Sequence, residues 1–427
     1  MTVANRQVNR RWALPTYLAG QGISLLGDQA YYVALTWAAT VQGGAAGVAL
    51  VASIAAVPRA LLMLPGGVIA SHFGIRRVMI ASDTVRMVIV ALAGALLLSG
   101  AGIWALAGTA LVFGIADSLY LPSSSALPPR LVPPENLQRA NSLITFIRRV
   151  AMLAGAPLGG LLVAGPGPGV AFVFEAGTFA VSVLCLSVLP LLPLPPGTRP
   201  RPRRQTLMSV LAEGPRDIWR SPLMRGLVLV GAITELGFTG PYNAGLPLLA
   251  HYRGWGAEGM GLVLSAFGLG AAIGALAAAR VRKRVRPGWV VIIAGAAQAA
   301  ALGGLALTPA LGGALPLSFV IGVAASLYGT TLMTMVQLSA DPGNLVQMMS
   351  VVSLSSYGTV PVSNSVTAVT AVLASVPGAY LLGAFIEFVA AGVALAVRPV
   401  RTMSFPAPEP EPKSGEDRRD GDSLLTG

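Results

Sequence analysis

Apolar residues fall in long runs, most of them 20 residues or more, broken by short polar or basic stretches. A bilayer core is about 30 Å thick and takes ~20 mostly apolar residues per helical pass, so each run predicts a membrane-spanning helix. The first six runs lie near 13–40, 46–70, 78–99, 103–124, 138–164 and 169–193. The second six lie near 223–250, 257–281, 288–309, 312–338, 345–374 and 377–398. Small residues recur along most of these spans, which lets helix backbones approach closely inside lipid. The first run is too long for a signal-peptide core and is followed by more spans, so it is expected to stay uncleaved.

Four segments follow from this pattern: a six-helix half over 1–193, a linker over 194–222, a second half over 223–400 and a tail over 401–427. The linker begins Pro/Arg-rich and ends amphipathic, which predicts a basic cytoplasmic connection with a short surface helix. The tail is polar, Pro-rich and acidic, and such a composition predicts disorder.

Composition removes the soluble alternatives. Of 427 residues, 54% are hydrophobic and 11% charged, against roughly 25% charged in an ordinary soluble domain. The formal charge of +12 comes from basic residues set between apolar runs. That places them beside lipid headgroups and argues against nucleic acid as a partner. One cysteine (Cys185) and two histidines (His72 and His251, in loops on opposite sides) leave no metal cluster, haem pair or disulfide framework. No cofactor or metal is expected. An enzyme is disfavoured, because no ligand cluster or embedded Ser–His pair is present. No phosphate-binding loop points to a nucleotide-driven pump.

Lys and Arg in short loops mark the cytoplasmic face. Arg6, Arg10, Arg11, Arg76, Arg77, Arg130 and Arg139 all fall on one side with the central linker and the 280–286 loop. The loops on the other side hold one basic residue, Arg253. The chain is thus expected to sit in the plasma (inner) membrane with both termini cytoplasmic, as a monomer.

Shifting the sequence by 207 residues places Trp12 on Trp219, Pro15 on Pro222, Asp28 on Glu235 and Gly67 on Gly274. It also places Arg76-Arg77 on Lys283-Arg284. Parallel six-helix repeats with a site between them near mid-membrane are a transporter architecture. The fold class expected is all-α: twelve transmembrane helices in two pseudo-symmetric six-helix bundles.

An ionisable side chain at mid-bilayer costs at least ~2.5 kcal/mol and asks for a reason. Asp28 lies about 22 Å along span 1 at 1.5 Å per residue, and Glu235 sits at the equivalent depth in span 7. Arg59, near the middle of span 2, is placed to pair with one of them. Such a set suits proton uptake and release beside the mid-membrane substrate site that parallel repeats share; a fixed ion pair fastening spans 1 and 2 is the structural alternative. Lacking an evident arginine, Glu235 is expected to carry the proton, with Asp28 partly an anchor for Arg59. Asp83 and Arg86 are expected to snorkel as an i,i+3 pair at the cytoplasmic end of span 3. Asp117, Arg148, Arg149, Glu175 and Glu387 read as structural, the two glutamates having no evident partner. The hydroxyls of span 11, Ser353 to Thr367, suit either a water-lined wall or their own helix backbone.

The segment Gly67-Val-Ile-Ala-Ser71-His72-Phe-Gly74-Ile-Arg76-Arg77 resembles the loop 2–3 signature of the major facilitator superfamily. Ser24-Leu-Leu-Gly27-Asp28, Pro58-Arg59 and Ala81-Ser-Asp83-Thr-Val-Arg86 are similar to its drug–proton antiporter branch, which includes the enterobactin exporter and macrolide efflux proteins. So is Arg139-Ala-Asn141-Ser-Leu143. Gly155, Pro157, Gly159 and Gly160 in span 5 resemble the antiporter motif of that branch. The resemblance implies an inner gate formed by Gly67, Ser71, Gly74, Arg76, Arg77, Asp83 and Arg86. Ser71 and His72 replace the usual aspartate and arginine, and the span 4 end and the 10–11 loop lack the usual charges. The inner latch is therefore expected to be weaker or rebuilt from hydrogen bonds.

The function read from these features is secondary active transport: proton-coupled efflux of a small amphipathic organic compound (drug, antibiotic or siderophore) by alternating access. Its partners are that small molecule, protons and the bilayer. Uptake or lipid movement by the same fold, or a non-transporting membrane sensor, are the alternatives.

Overall fold

The computed structural model describes residues 12–192, 215–280 and 286–405. Most of the linker and the acidic tail lie outside the described residues; 215–220 are helical, and the short helix Arg398–Thr402 follows the last span.

Eleven helices among the described residues are long and apolar enough to cross a membrane. They are α2 (Leu50–Phe73), α3 (Ile75–Leu98), α4 (Ile103–Ala126), α5 (Leu137–Ala164) and α6 (Pro168–Val188). The second half supplies α7 (Pro222–Tyr252), α8 (Gly256–Ala279), α9 (Pro287–Leu307), α10 (Leu311–Ser339), α11 (Leu345–Leu373) and α12 (Val376–Ala396). The twelfth pass, α1, covers residues 13–40, where Gln21, Asp28 and Gln29 lower the mean hydropathy. Helical turns follow one another within Ala13–Phe73, but they are not collinear. The Ala39 carbonyl oxygen lies 2.6 Å from the point where Gly47 would carry a Cβ, whereas eight residues of straight helix span about 12 Å. The chain therefore doubles back there, giving twelve passes in two pseudo-symmetric bundles.

Local chemistry sets the other boundaries. Gly74, at φ 90°, makes the turn between α2 and α3 in a conformation open to residues without a Cβ. Pro222 and Pro377 lie in the first turns of α7 and α12, where a missing N–H costs little. Ser221 and Ser375 cap those helices by accepting from Met224 N at 3.3 Å and Gly378 N at 3.0 Å. Within α7, a wider turn over Pro241–Gly245 separates Pro222–Gly240 from Leu246–Tyr252. Tyr380 Oη donates to the Pro241 carbonyl at 2.8 Å, satisfying an acceptor in this widened turn.

The repeat seen in the sequence recurs as packing. A Cβ on Gly66 or Gly114 would collide with the backbone of α4 or α2, and one on Gly270, Gly274 or Gly322 with that of α10 or α8. Close α2–α4 contact in one half thus matches close α8–α10 contact in the other, as expected of helices held by backbone approach.

The buried core is continuous between the halves only toward one end. Near the starts of α1, α5 and α11 it joins Tyr17, Met79 and Leu137 to Met335, Val346 and Met349. Toward the opposite end it divides into one cluster per half, around Phe113 and Phe172 in the first and Leu302 and Tyr380 in the second. The halves meet at the end bearing the basic loops and part toward the other.

Candidate functional site

Embedded charges of the first half converge from five helices. Asp117 on α4 binds Arg59 Nη2 of α2 at 2.6 Å and Arg86 Nη1 of α3 at 3.1 Å. Asp83 binds Arg86 Nη2 at 2.5 Å and accepts from Ser182 Oγ of α6 at 2.7 Å. The Arg86 guanidinium is sandwiched at 4.3 Å from the Tyr120 ring centroid and 4.8 Å from that of Phe179, a placement favourable for a desolvated cation. Tyr120 Oη donates to Gln21 Oε1 of α1 at 2.9 Å.

Asp28 on α1 and Glu175 on α6 are hydrogen-bonding neighbours. The missing side chain at Gly27 makes room, since a Cβ there would strike Glu175 Oε2 and Thr178. Thr178 Oγ1 donates to Glu175 Oε2 at 2.9 Å, and Glu175 Oε1 has no donor among the described residues. A hydrogen bond between two carboxyl groups needs one proton between them. The cluster thus brings together four carboxyl groups and two guanidinium groups, with ion pairs made by Asp83 and Asp117.

Three expectations are corrected here. Arg59 pairs with Asp117, not with Asp28, because α2 packs against α4 at this level. Asp83 and Arg86 do not snorkel: they are 0% and 3% exposed, packed where α3 faces α4 and α6. Glu175 is not partnerless, since Asp28 and Thr178 both engage it.

The second half repeats the theme with fewer charges. Gly237 on α7 lies against Gly383 and Glu387 of α12 as Gly27 lies against Glu175. Glu387, 1% exposed, accepts from Gln298 Nε2 of α9 at 3.0 Å, so it too has a partner. Glu235 Oε2 accepts from Thr239 Oγ1 one turn on at 2.8 Å. No ion pair holds Glu235 among the described residues; Arg149 of α5 is the cation whose charge reaches it. The one-dimensional sequence could not show that α5 crosses to the second half at this point.

At the closed end the two halves are joined by neutral hydrogen bonds. Gln347 Nε2 at the start of α11 donates to Ser71 Oγ at 2.7 Å, and Gly67 packs against Ser350. Asn141 Nδ2 of α5 donates to Thr334 Oγ1 at 2.9 Å and Gln337 Oε1 at 2.6 Å of α10. Gln337 Nε2 donates to the Ser125 carbonyl at 2.7 Å, and Gln138 Nε2 to the Ala278 carbonyl and Thr331 Oγ1 at 3.3 Å. Among the described residues no ion pair crosses between the halves, and no such hydrogen bond lies at the opposite end. Sequence reasoning missed Gln138, Thr334 and Gln337; the signal was a polar stripe at spacings of three on α5 and α10.

The remaining signature residues are placed as follows. Arg76 Nη1 donates to the Leu189 carbonyl beyond α6 at 3.2 Å. Arg77 is exposed and lines an apolar groove of about 410 Å³ between α2, α3 and α4. Gly155 and Gly159 seat α5 on α1, at Leu26–Gln29 and Ala30, while Gly160 faces open space and Pro157 lies inside the helix. On α11, Ser363 clasps α7, accepting from Gly240 N at 2.7 Å and donating to the Leu236 carbonyl at 2.6 Å. Ser355 and Thr359 bond their own helix.

Two parallel-repeat bundles, joined at one end and each carrying buried carboxyl groups, define a secondary-transporter architecture. The Major Facilitator Superfamily model matches residues 17–363 and again 243–423, and the chain belongs to that superfamily. It is similar to the enterobactin exporter EntS of Salmonella typhi, 31% identical over 251 residues, and to EntS of Escherichia coli O127:H6, 32% identical over 251 residues. Each match spans 58% of this chain and 58% of the relative's length. In fold, the human organic anion transporter MFSD10 aligns with TM-score 0.70 at 17% identity over 90% of this chain and 99% of that one. A bacterial homologue of the iron transporter ferroportin in the outward-facing state aligns with TM-score 0.71 at 16% identity over the same shares. The chain is a multi-pass membrane protein of a transporter family, not an enzyme.

Proposed function

We propose that the protein is a proton-coupled exporter of a small amphipathic organic compound, working by alternating access in the plasma (inner) membrane as a monomer. The supporting observation is the Asp28–Glu175 pair, two hydrogen-bonding carboxyl groups beside Arg59 and Arg86, which Asp83 and Asp117 already engage. Such a pair holds one proton readily and a second negative charge only at high cost. A change in solvent access as the halves rock therefore changes its proton occupancy. Glu235, on the repeat-equivalent helix, faces Arg149 across the seam and is the second candidate coupling group. With the basic loops cytoplasmic, the closed end is the inner one and the described state faces outward.

The likeness to the enterobactin exporter supports efflux of a siderophore-sized organic molecule as the direction and substrate class. Purified protein in vesicles loaded with a small drug panel tests this with and without a pH gradient. Gradient-accelerated release that Asp28→Asn or Glu235→Gln abolishes is expected. Release indifferent to the gradient would remove the proton, and no release of any compound would favour the sensor reading. Reporter fusions at Gly43 and Arg203 should mark opposite faces; the same face for both would overturn the orientation.

A further inference from the structure

Arg149 lies about 18 Å along α5 from its start at 1.5 Å per residue, deep in the seam between the halves. Its Cζ sits 5.4 Å from the ring centroid of Phe267 on α8, in the opposite half. Its Nε is buried with no acceptor, and no ion pair engages the guanidinium among the described residues. Arg86 and Arg59 show what this chain does with a cation that serves the fold: each is held by a carboxylate at 3.1 Å or less. Arg149 is not so held. The charge of Glu235 reaches it without an ion pair between them, and Glu235 accepts from Thr239 of its own helix.

Beside Arg149 stands an aromatic wall. Phe267 lies 6.0 Å from Phe238 and 4.6 Å from Tyr242, and Phe238 lies 4.9 Å from Tyr242. Tyr242 is buried behind the other two and bonds Ser318 at 3.2 Å, whereas Phe238 and Phe267 are half-buried. The seam therefore presents an unpaired guanidinium from one half and ring surface from the other.

A guanidinium fork matches a carboxylate with two parallel hydrogen bonds, and in a water-poor site that match is worth far more than at a surface. A bound cation would meet Arg149 and the adjacent Arg148 as like charges.

We propose that Arg149 anchors the anionic group of an aromatic acid whose ring lies against Phe267 and Phe238, a cargo site shared by both halves. This assignment rests on the transporter reading only in calling the ligand a cargo; the site itself is tested by binding.

The full chain in lipid nanodiscs is titrated with 2-naphthoate, with its neutral amide 2-naphthamide and with cyclohexanecarboxylate. The wild-type chain should favour 2-naphthoate over the amide by about 10-fold or more, the range of a hydrogen bond to a charged group. Arg149→Gln should erase that preference, and Arg149→Lys, which keeps the charge but not the fork, should retain part of it. Phe267→Leu should weaken 2-naphthoate more than cyclohexanecarboxylate. Equal wild-type affinity for acid and amide overturns the proposal, as does no 2-naphthoate binding up to about 1 mM or a preference that survives Arg149→Gln. Should Arg149→Gln not fold, the wild-type comparison and Arg149→Lys still decide. Acid-selective binding without gradient-driven release would retain this site and reject transport. Release of neutral compounds without acid selectivity would do the reverse.

Discussion

Gln347 Nε2 donates to Ser71 Oγ at 2.7 Å, tying the start of α11 to the end of α2 across the two halves. An amide-to-hydroxyl bond of this kind contributes about 1 kcal/mol, whereas one to a carboxylate contributes about 1.5–3 kcal/mol. Ser71→Asp keeps the acceptor and adds the charge, so it should deepen the state closed at this end. A gain of ~1.4 kcal/mol changes the ratio of states tenfold. Labelling of a single cysteine on the inner side should slow accordingly, and an unchanged rate would count against a latch at this position.

Asn141 is 6% exposed and donates to both Thr334 and Gln337 of the opposite half. Asn141→Leu removes those bonds and leaves Gln337 Oε1 buried without its donor, a loss of about 1–3 kcal/mol that falls only on the state closed at this end. Inner-side cysteine labelling should accelerate by roughly tenfold or more, with expression and helical content retained. If labelling stays at the wild-type rate, these bonds do not hold the gate.

The twelve passes were legible because a bilayer demands long apolar runs, and the repeat because Asp28 and Glu235 fall at one offset. The replacement of a charged latch was legible in part: Ser71 announced a missing charge, and the Ser71–Gln347 bond stands there now. Pairing inside the membrane was not legible. Arg59 has Asp28 and Asp117 within plausible depth, and the choice of Asp117 depends on α2 lying against α4 at the Gly66 and Gly114 contacts. Glu175 looked partnerless for a related reason: its partner lies 147 positions away, and only the gap left by Gly27 lets α6 reach α1. Arg149 is the sharpest case, since α5 begins in the first half's sequence but meets the second half's Phe267 and Glu235.

Asp117 holds both Arg59 and Arg86. Removing it leaves Arg59 without its carboxylate while Arg86 keeps Asp83, and because Arg59 is part-exposed the cost stays below the ~3–5 kcal/mol of a fully buried pair. Asp117→Asn should therefore lower the melting temperature of the detergent-solubilised protein, and more than Asp28→Asn, whose side chain makes no ion pair among the described residues. Equal losses in the two variants would mean that Asp28 anchors an arginine after all.

Glu175→Gln is the most direct test of the shared proton. The substitution is isosteric: its Oε1 can still accept from Thr178, and its amide N–H can donate to Asp28 where the carboxyl proton would. Packing at Gly27 is unchanged, so insertion and melting temperature should stay near wild type. What disappears is one of the two titrating groups, because an amide does not titrate, so no proton can be passed between two carboxyl groups at this site. Asp28 in the variant faces a permanent donor in place of a group that can give up its proton. Downhill exchange of substrate across vesicles should persist, since the seam around Arg149 and Phe267 is untouched. Acceleration by an inward proton gradient should vanish, and the pH dependence of substrate release should flatten. Full gradient-driven release in Glu175→Gln would separate coupling from this pair and transfer it to Glu235, with Glu387 behind it on α12.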